Sequence, residues 1–97
     1  MRSRFLLCYD VRDDRRLRKA ARVAEAFGHR LQYSVFLCDL SDIERIRLEG
    51  DLADVLELAV DSVMLVDLGP AGTHSGRRFR WLGSRPEIYH SGEATIV

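Results

Sequence analysis

A single carboxylate ends the first apolar run of this chain, and arginines follow it at once. Asp10 comes directly after the run from Phe5 to Tyr9, and residues 12–30 hold seven basic and three acidic side chains. Mg²⁺ usually takes one or two carboxylates together with waters and a substrate phosphate, and arginines bind phosphate through paired N–H donors. The pattern indicates metal-assisted phosphodiester chemistry. The alternative is that Asp10 only terminates a strand or caps the next turn.

One carboxylate per chain is a poor metal site unless a second copy supplies another. A two-fold homodimer would place two Asp10 side chains near its axis. Such a pair could hold a cation that polarises phosphate and activates water. Tyr9 precedes Asp10 and points to the opposite face in a regular strand.

Other catalytic motifs are absent from the sequence. It contains no nucleophile elbow, no zinc-protease motif and no phosphate loop. The segment 69–76 is loosely glycine-rich but opens no helix. Cys8 and Cys38 lie in apolar stretches and are predicted to be buried free thiols. The three histidines are scattered without the spacing of metal ligands: His29, His74 and His90.

Charge is segregated along the chain although the formal net charge is zero. Residues 39–61 hold two basic and eight acidic side chains, and residues 77–85 hold four arginines and no acid. Such a distribution can present a basic face to nucleic acid while an acidic face is turned away. The alternative is that the helices carry solvated charges.

Hydrophobic periodicity predicts alternating strands and helices in one domain spanning residues 1–97. Two helices between strands favour an α+β sheet with both helices on one face, and the ferredoxin-like βαββαβ order is the simplest topology that fits. The predicted elements are strands at 4–10, 29–40, 62–69, 77–83 and 87–97, and helices at 13–27 and 41–59.

Both predicted helices carry terminal signals. Asp13 can cap the first helix and Gly28 can end it, while Ser41 with Glu44 forms a capping box for the second. Gly50 indicates a kink or a close helix contact. The predicted apolar stripes are Leu17, Ala20, Ala21, Ala24 and Phe27 on the first helix, and Ile43, Ile46, Ala53, Leu56 and Val60 on the second.

The segment 29–40 is long for one strand and is expected to break near Gln32 or Tyr33. Tyr33 and Phe36 are predicted to be core or interface aromatics. Both helices on one face would leave the other face of the sheet bare, so a homodimer is expected. No apolar run approaches the ~20 residues that cross a bilayer, and the first run is too short for a signal peptide. A cytoplasmic protein is therefore expected.

The segment "YDVRDDRRLRKAARVAEAFGHRLQYSVFLCDL" resembles the Cas-two family of CRISPR-associated endoribonucleases, the small partner of the spacer-acquisition integrase. The likeness covers residues 4–68 well and the tail loosely. It is carried by "YD" closing the first strand, "DD" after it, a basic helix ending in Gly, and the motif residues Arg30, Gln32, Ser34, Val35 and Phe36.

The resemblance implies a ferredoxin-like homodimer in which residues 77–97 add an extra C-terminal strand to the partner subunit's sheet. It implies an endonuclease dependent on Mg²⁺ or Mn²⁺, acting on single-stranded RNA or duplex DNA. It also implies a complex with the CRISPR integrase, Cas-one, in which the protein binds the DNA to be inserted. The alternatives are a structural adaptor without hydrolysis, a toxin-like ribonuclease of the same fold, and a regulatory domain for small ligands.

The resemblance also assigns roles to single residues. Asp10, one from each subunit, is the expected metal-binding carboxylate and a catalytic residue, with Tyr9 as a second catalytic residue. Many relatives carry Glu where this chain has Leu37, so no carboxylate role transfers to that position. The expected phosphate contacts are Arg15, Arg16, Arg18 and Arg30, and the residues linked to structure or activity are Ser34 and Phe36.

Overall fold

The computed structural model describes residues 1–72 and 78–84. These residues form strands and helices in the order βαββαβ. The elements are β1 (Ser3–Asp10), α1 (Asp14–Phe27), β2 (His29–Gln32), β3 (Val35–Leu40), α2 (Asp42–Val55) and β4 (Ser62–Pro70).

The four strands form one antiparallel sheet in the order β2-β3-β1-β4. The central strand β1 pairs with β3 on one side and with β4 on the other. α1 connects β1 to β2 and α2 connects β3 to β4, so each helix joins two parallel strands that have one strand between them. Right-handed connections of this kind place both helices on the same face of the sheet. The predicted α+β, ferredoxin-like arrangement is confirmed.

The hydrophobic core lies between the two helices and one face of the sheet. Alternation along β1 directs Phe5, Leu7 and Tyr9 into this core. We call the opposite side, with Leu6, Cys8, Asp10 of β1 and the residues opposite them, the second sheet face. The buried core consists of Phe5, Leu7, Tyr9, Ala20, Ala24, Phe36, Cys38, Leu40, Leu48, Leu52 and Leu56.

Both helices begin at their predicted caps. The Asp13 carboxylate accepts a hydrogen bond from the Arg16 N–H at 3.0 Å. Ser41 Oγ accepts from the Glu44 N–H at 3.2 Å, while the Glu44 carboxylate accepts from the Ser41 N–H at 2.8 Å. These contacts satisfy N–H groups that the first turn of a helix leaves without an intrahelical acceptor.

The apolar stripe predicted for α1 is confirmed. Of the stripe predicted for α2, Leu56 lies in the core, but the other predicted residues are exposed. α2 buries Leu48 and Leu52 completely or nearly so, but leaves Ile43 64% and Ile46 59% exposed. The helix carries two apolar stripes and can turn only one toward the sheet. The leucine stripe, at a spacing of four residues, is the one that faces the core.

α2 ends at Val55 rather than at the predicted Ala59. The Asp61 carboxylate accepts a hydrogen bond from the Glu57 N–H at 2.9 Å, and the Glu57 carbonyl accepts from the Asp61 N–H at 2.8 Å. This pair of bonds closes a tight turn before β4, so the chain leaves the helix one turn early.

The predicted break in the segment 29–40 is confirmed at a turn formed by Tyr33 and Ser34. Phe36 is a core residue as expected, but Tyr33 is 72% exposed. Residues 78–84 are irregular rather than strand, because a strand requires a hydrogen-bonded neighbour. Residues 77 and 85–97 of the predicted tail lie outside the described residues, so docking of the tail on a partner subunit stays a prediction.

The two cysteines are free, as predicted. Cys38 is buried on the core side and Cys8 is half-buried on the second sheet face, so the sheet itself separates them. Burial raises the pKa of the Cys38 thiol to about 12, with a smaller contribution from Asp39. Among the described residues, no helix is long and apolar enough to pass through a membrane.

Gly28 lies where the chain leaves α1 and passes against β3. A Cβ at this position would clash with the Leu37 carbonyl oxygen and with Cys38 Sγ. A strand carbonyl cannot move aside without disturbing the sheet, so Gly28→Ala is expected to lower the free energy of unfolding by about 1–3 kcal/mol.

Gly50 in α2 provides the matched control. Beyond the helix's own backbone, no atom lies within 4 Å of a Cβ built there, so the predicted close contact does not explain this glycine, and the kink stays a prediction. Gly50→Ala is expected to raise the free energy of unfolding by about 0.5–1 kcal/mol, because alanine favours the helix. Urea unfolding of the two variants measures both effects, and equal destabilisation by both would contradict the steric argument.

Candidate functional site

Asp10 stands exposed at the end of β1 on the second sheet face. Its strand partner is Ser62 of β4, and its side chain is 65% exposed. The Arg12 guanidinium lies 3.4 Å from the carboxylate and is itself largely exposed. The end of β1 therefore presents an accessible carboxylate with a cation beside it, where a phosphate and a metal ion could both approach.

The carboxylate of Asp10 has few companions for holding a metal. Within residues 1–72 and 78–84, no three Asp, Glu, His or Cys side chains are grouped for a metal ion. Mg²⁺ keeps several waters and needs only one or two carboxylates. The donor set of this chain fits Mg²⁺ where a second chain adds another carboxylate.

Tyr9 faces the core and not the Asp10 side. It is 6% exposed, and its ring stacks on Phe36 with the ring centroids 6.1 Å apart. Its buried hydroxyl finds no hydrogen-bond partner in the described part of the chain. Burial raises the pKa of the Tyr9 phenol, and the nearby Arg30 only partly offsets this. The phenol is therefore protonated at neutral pH, and its catalytic role stays a prediction.

Arg30 holds the turn between β2 and β3. Its guanidinium lies over the Phe36 ring, 4.9 Å from the centroid, and donates a hydrogen bond of 2.5 Å to the Tyr33 carbonyl. The neighbouring Ser34 carbonyl accepts a hydrogen bond of 3.1 Å from the Tyr9 N–H. The motif residues Arg30, Ser34 and Phe36 thus position this turn against the end of β1.

Arg16 is bound to a buried acid that sequence analysis missed. Its Nε and Nη2 atoms donate to the two oxygens of Asp61 at 2.7 and 3.2 Å, and the Asp61 side chain is fully buried. The backbone N–H groups of Arg12 and Glu57 complete its hydrogen bonding. The Arg16 guanidinium holds the pKa of the Asp61 carboxyl well below its usual range.

Asp61 anchors the loop that follows Asp10, because it binds both the backbone of Arg12 and the side chain of Arg16. These partners lie 49 and 45 residues away in sequence, so no local motif marks the acid. Arg16 is better described as a positioning residue than as the free phosphate contact predicted from the sequence.

The remaining cations of α1 form an exposed basic stripe. Residues three and four apart share one side of a helix. Arg16 differs from the stripe in that its guanidinium is engaged by Asp61 and is only partly exposed. Arg15 and Arg18, both predicted phosphate contacts, lie in it. The basic stripe consists of Arg15, Arg18, Lys19 and Arg22, all exposed.

The second sheet face is mostly apolar beyond Asp10. Leu37 is 6% exposed and pairs across the sheet with Leu6, so this face carries an apolar contact there. Arg4 is nearly buried and binds Asp39 of the neighbouring strand through two contacts of 2.6 and 2.8 Å. This ion pair fixes the register of β1 against β3.

The chain matches known proteins over the region that holds this site. The family model for CRISPR associated protein Cas2 matches residues 2–73. A CRISPR-associated endoribonuclease Cas2 of Geobacter sulfurreducens is 38% identical over 71 residues, covering 73% of this chain and 75% of the relative. One from Thermodesulfovibrio yellowstonii is 34% identical over 68 residues, covering 70% of this chain and 75% of the relative.

Solved structures share the fold. A hypothetical protein from Thermus thermophilus has a TM-score of 0.77 and 25% identity, covering 90% of this chain and 98% of that one. Streptococcus pyogenes Cas2 has a TM-score of 0.71 and 28% identity, covering 82% of this chain and 99% of that one. With the matched family region including Asp10, Asp61 and the turn at Tyr33, the chain belongs to the Cas2 family of CRISPR-associated proteins.

Proposed function

We propose that this protein is a metal-dependent endonuclease of CRISPR spacer acquisition, acting as a homodimer in which two Asp10 carboxylates share one Mg²⁺ or Mn²⁺. The observation that carries the proposal is the place of Asp10, exposed at a strand end on the second sheet face beside Arg12. The relatives' name, endoribonuclease, favours RNA as the substrate. Duplex DNA is the second substrate to be tested.

Each part of the chain has a distinct task in this proposal. A bound Mg²⁺ would supply Lewis acidity to the phosphate and a more acidic water. Asp10 provides the carboxylate that holds the ion, and Arg12 offsets negative charge beside it. Asp61 and Arg16 hold the loop that carries Arg12 in place. The basic stripe of α1 binds the backbone of the nucleic acid.

The homodimer of the proposal uses the second sheet face. Leu6, Cys8 and Val66 are only partly buried there, and Met64 is 57% exposed. A second copy covering this apolar surface would gain hydrophobic stabilisation. Because Asp10 lies on the same face, two-fold pairing through it provides a route for two Asp10 side chains to approach each other.

Cleavage assays test the proposal directly. Labelled single-stranded RNA and duplex DNA are incubated with wild type and with Asp10→Asn, in Mg²⁺ and in EDTA. We expect cutting by wild type in Mg²⁺, and neither in EDTA nor with the variant. Asp54→Asn, the same change at an exposed position of α2, is the matched control and should cut like wild type. Cutting that survives Asp10→Asn would refute the assignment.

A second candidate function is a DNA-binding adaptor that bridges integrase subunits without hydrolysis. It is favoured by the separation of the basic stripe on α1 from Asp10 on the second sheet face. Binding of duplex DNA and of the integrase from the same locus, without cutting by wild type, would support the adaptor.

Salt dependence of binding tests the basic stripe. Each phosphate neutralised by a cation releases counterions, so affinity falls linearly with salt on logarithmic axes. Replacing Arg15, Arg18 and Arg22 together by Gln is expected to reduce that slope by about 2 units, at about 0.7–0.9 per lost contact. The control changes Arg45 and Arg47 of α2 to Gln. Equal slopes for wild type and the stripe variant would exclude α1 as the contact surface.

A further inference from the structure

Tyr33 presents an aromatic ring to solvent at the turn between β2 and β3. Its side chain is among the most exposed large apolar groups, at 72%. Neighbouring Phe36 is completely buried, so the two aromatics of this segment have different roles. An exposed aromatic ring offers a flat π-surface on which a base can stack.

The Tyr33 turn is held in place before any ligand binds. Arg30 donates a hydrogen bond to the Tyr33 carbonyl, and its guanidinium lies 6.0 Å from the Tyr33 ring and 4.9 Å from the Phe36 ring. The Tyr9 N–H holds the next carbonyl, that of Ser34, at 3.1 Å. The backbone of Tyr33 is therefore fixed while most of its ring is exposed, and ordering the turn in advance lowers the entropy cost of binding.

The turn lies at the same end of the sheet as Asp10. In the β1–β3 ladder, Cys8 is opposite Val35. The hydrogen bond from the Tyr9 N–H to the Ser34 carbonyl continues the contact between β1 and this segment by one residue. Tyr33 precedes Ser34 in the turn, as Asp10 follows Tyr9 at the end of β1. The β2–β3 turn and the Asp10 carboxylate therefore share one end of the sheet.

We propose that Tyr33 is a stacking platform for an unpaired nucleobase of the strand whose phosphates pass Asp10, with the Arg30 cation alongside. This inference rests on the proposed function and adds a residue that selects the substrate. Bases inside a duplex already stack on one another, so a single-stranded substrate gains from Tyr33 and a duplex does not.

Binding measured in EDTA tests the inference separately from cleavage. Two labelled probes are used: a single-stranded oligouridine, and a chain of equal length and charge whose sugars carry no bases. Tyr33→Leu removes the ring but keeps the backbone contacts of the turn. It is expected to weaken oligouridine binding about tenfold, equivalent to about 1.4 kcal/mol, and to leave binding of the base-free chain unchanged. Tyr33→Trp should restore oligouridine binding.

Salt dependence distinguishes stacking from charge. Tyr33→Leu should shift the oligouridine affinity at every salt concentration without changing the slope, because no phosphate contact is lost. Leu58→Ala, at another exposed apolar position, is the matched control and should bind like wild type. Equal loss on both probes, or no loss on oligouridine, would overturn the inference. Failure of the nuclease proposal would instead appear as absent cutting in Mg²⁺, whatever the binding data show.

Discussion

Replacing Asp61 by Asn is expected to lower the melting temperature at neutral pH by on the order of 10 °C. The wild-type carboxylate is fully buried and accepts hydrogen bonds from the Arg16 side chain and from two backbone N–H groups. The asparagine amide has the same shape but no charge, and its NH₂ group faces N–H donors where the carboxylate oxygen accepted hydrogen bonds. The partly buried Arg16 guanidinium then lacks its counter-ion. Removing one partner of such a pair is strongly destabilising because the other charge is left uncompensated.

The effect of Asp61→Asn should depend on pH in a defined direction. The pKa of Asp61 is lowered in the folded protein, chiefly by the hydrogen bonds from Arg16. A carboxyl whose pKa is lower in the folded protein than in the unfolded chain stabilises the fold at pH values above its unfolded pKa, which is about 3.9 for Asp. That contribution is lost as pH falls through the folded value. The difference in stability between wild type and variant should therefore be constant near neutrality and shrink below about pH 4.

Thermal unfolding at pH 7 and at pH 3 measures both parts of this prediction. Asp54→Asn makes the same chemical change on the exposed side of α2 and should unfold like wild type at both pH values. A pH-independent loss in Asp61→Asn would assign the effect to packing rather than to the ion pair. A melting temperature equal to wild type would show that the buried pair contributes nothing to stability.

The fold was predictable because local signals agree with the tertiary structure. Each helix begins at a polar cap that the sequence displays, and α1 has a single apolar stripe. α2 carries two such stripes, and periodicity alone cannot decide which one is buried. The decision depends on the sheet surface opposite the helix, where Leu48 and Leu52 fit against the core.

The place of Asp10 in the fold was predictable from the sequence, whereas its role as a metal ligand stays a prediction. The end of an apolar run marks Asp10 directly, and the structure places it exposed as that position requires. Arg15, Arg16 and Arg18 are equivalent in sequence, but a distant acid selects Arg16 for an internal ion pair. Tyr33 was predicted to be a core or interface aromatic. The turn directs its ring out of the core, and its contact with a partner stays a prediction.

Mixing wild-type protein with the Asp10→Asn variant is expected to reduce the cleavage rate by more than the fall in the wild-type fraction alone would. The variant alone should cut at least about 10²-fold more slowly, since it lacks the charge that holds the metal. In a homodimer that shares one metal between two Asp10 side chains, only dimers with two wild-type subunits are complete. Equal amounts, unfolded together and refolded, should leave about one quarter of the activity of an all-wild-type sample.

The shape of this dependence distinguishes a shared site from two separate ones. If each chain held its own metal, activity would fall in proportion to the wild-type fraction, and an equal mixture would retain about half. Asp54→Asn, mixed in the same way, should cause no loss because it leaves every Asp10 in place. The structure favours the shared site, for which activity falls with the square of the wild-type fraction. Within the described residues, Asp10 belongs to no group of three or more side chains that could hold a metal, and it lies on the apolar face through which we propose that two copies pair.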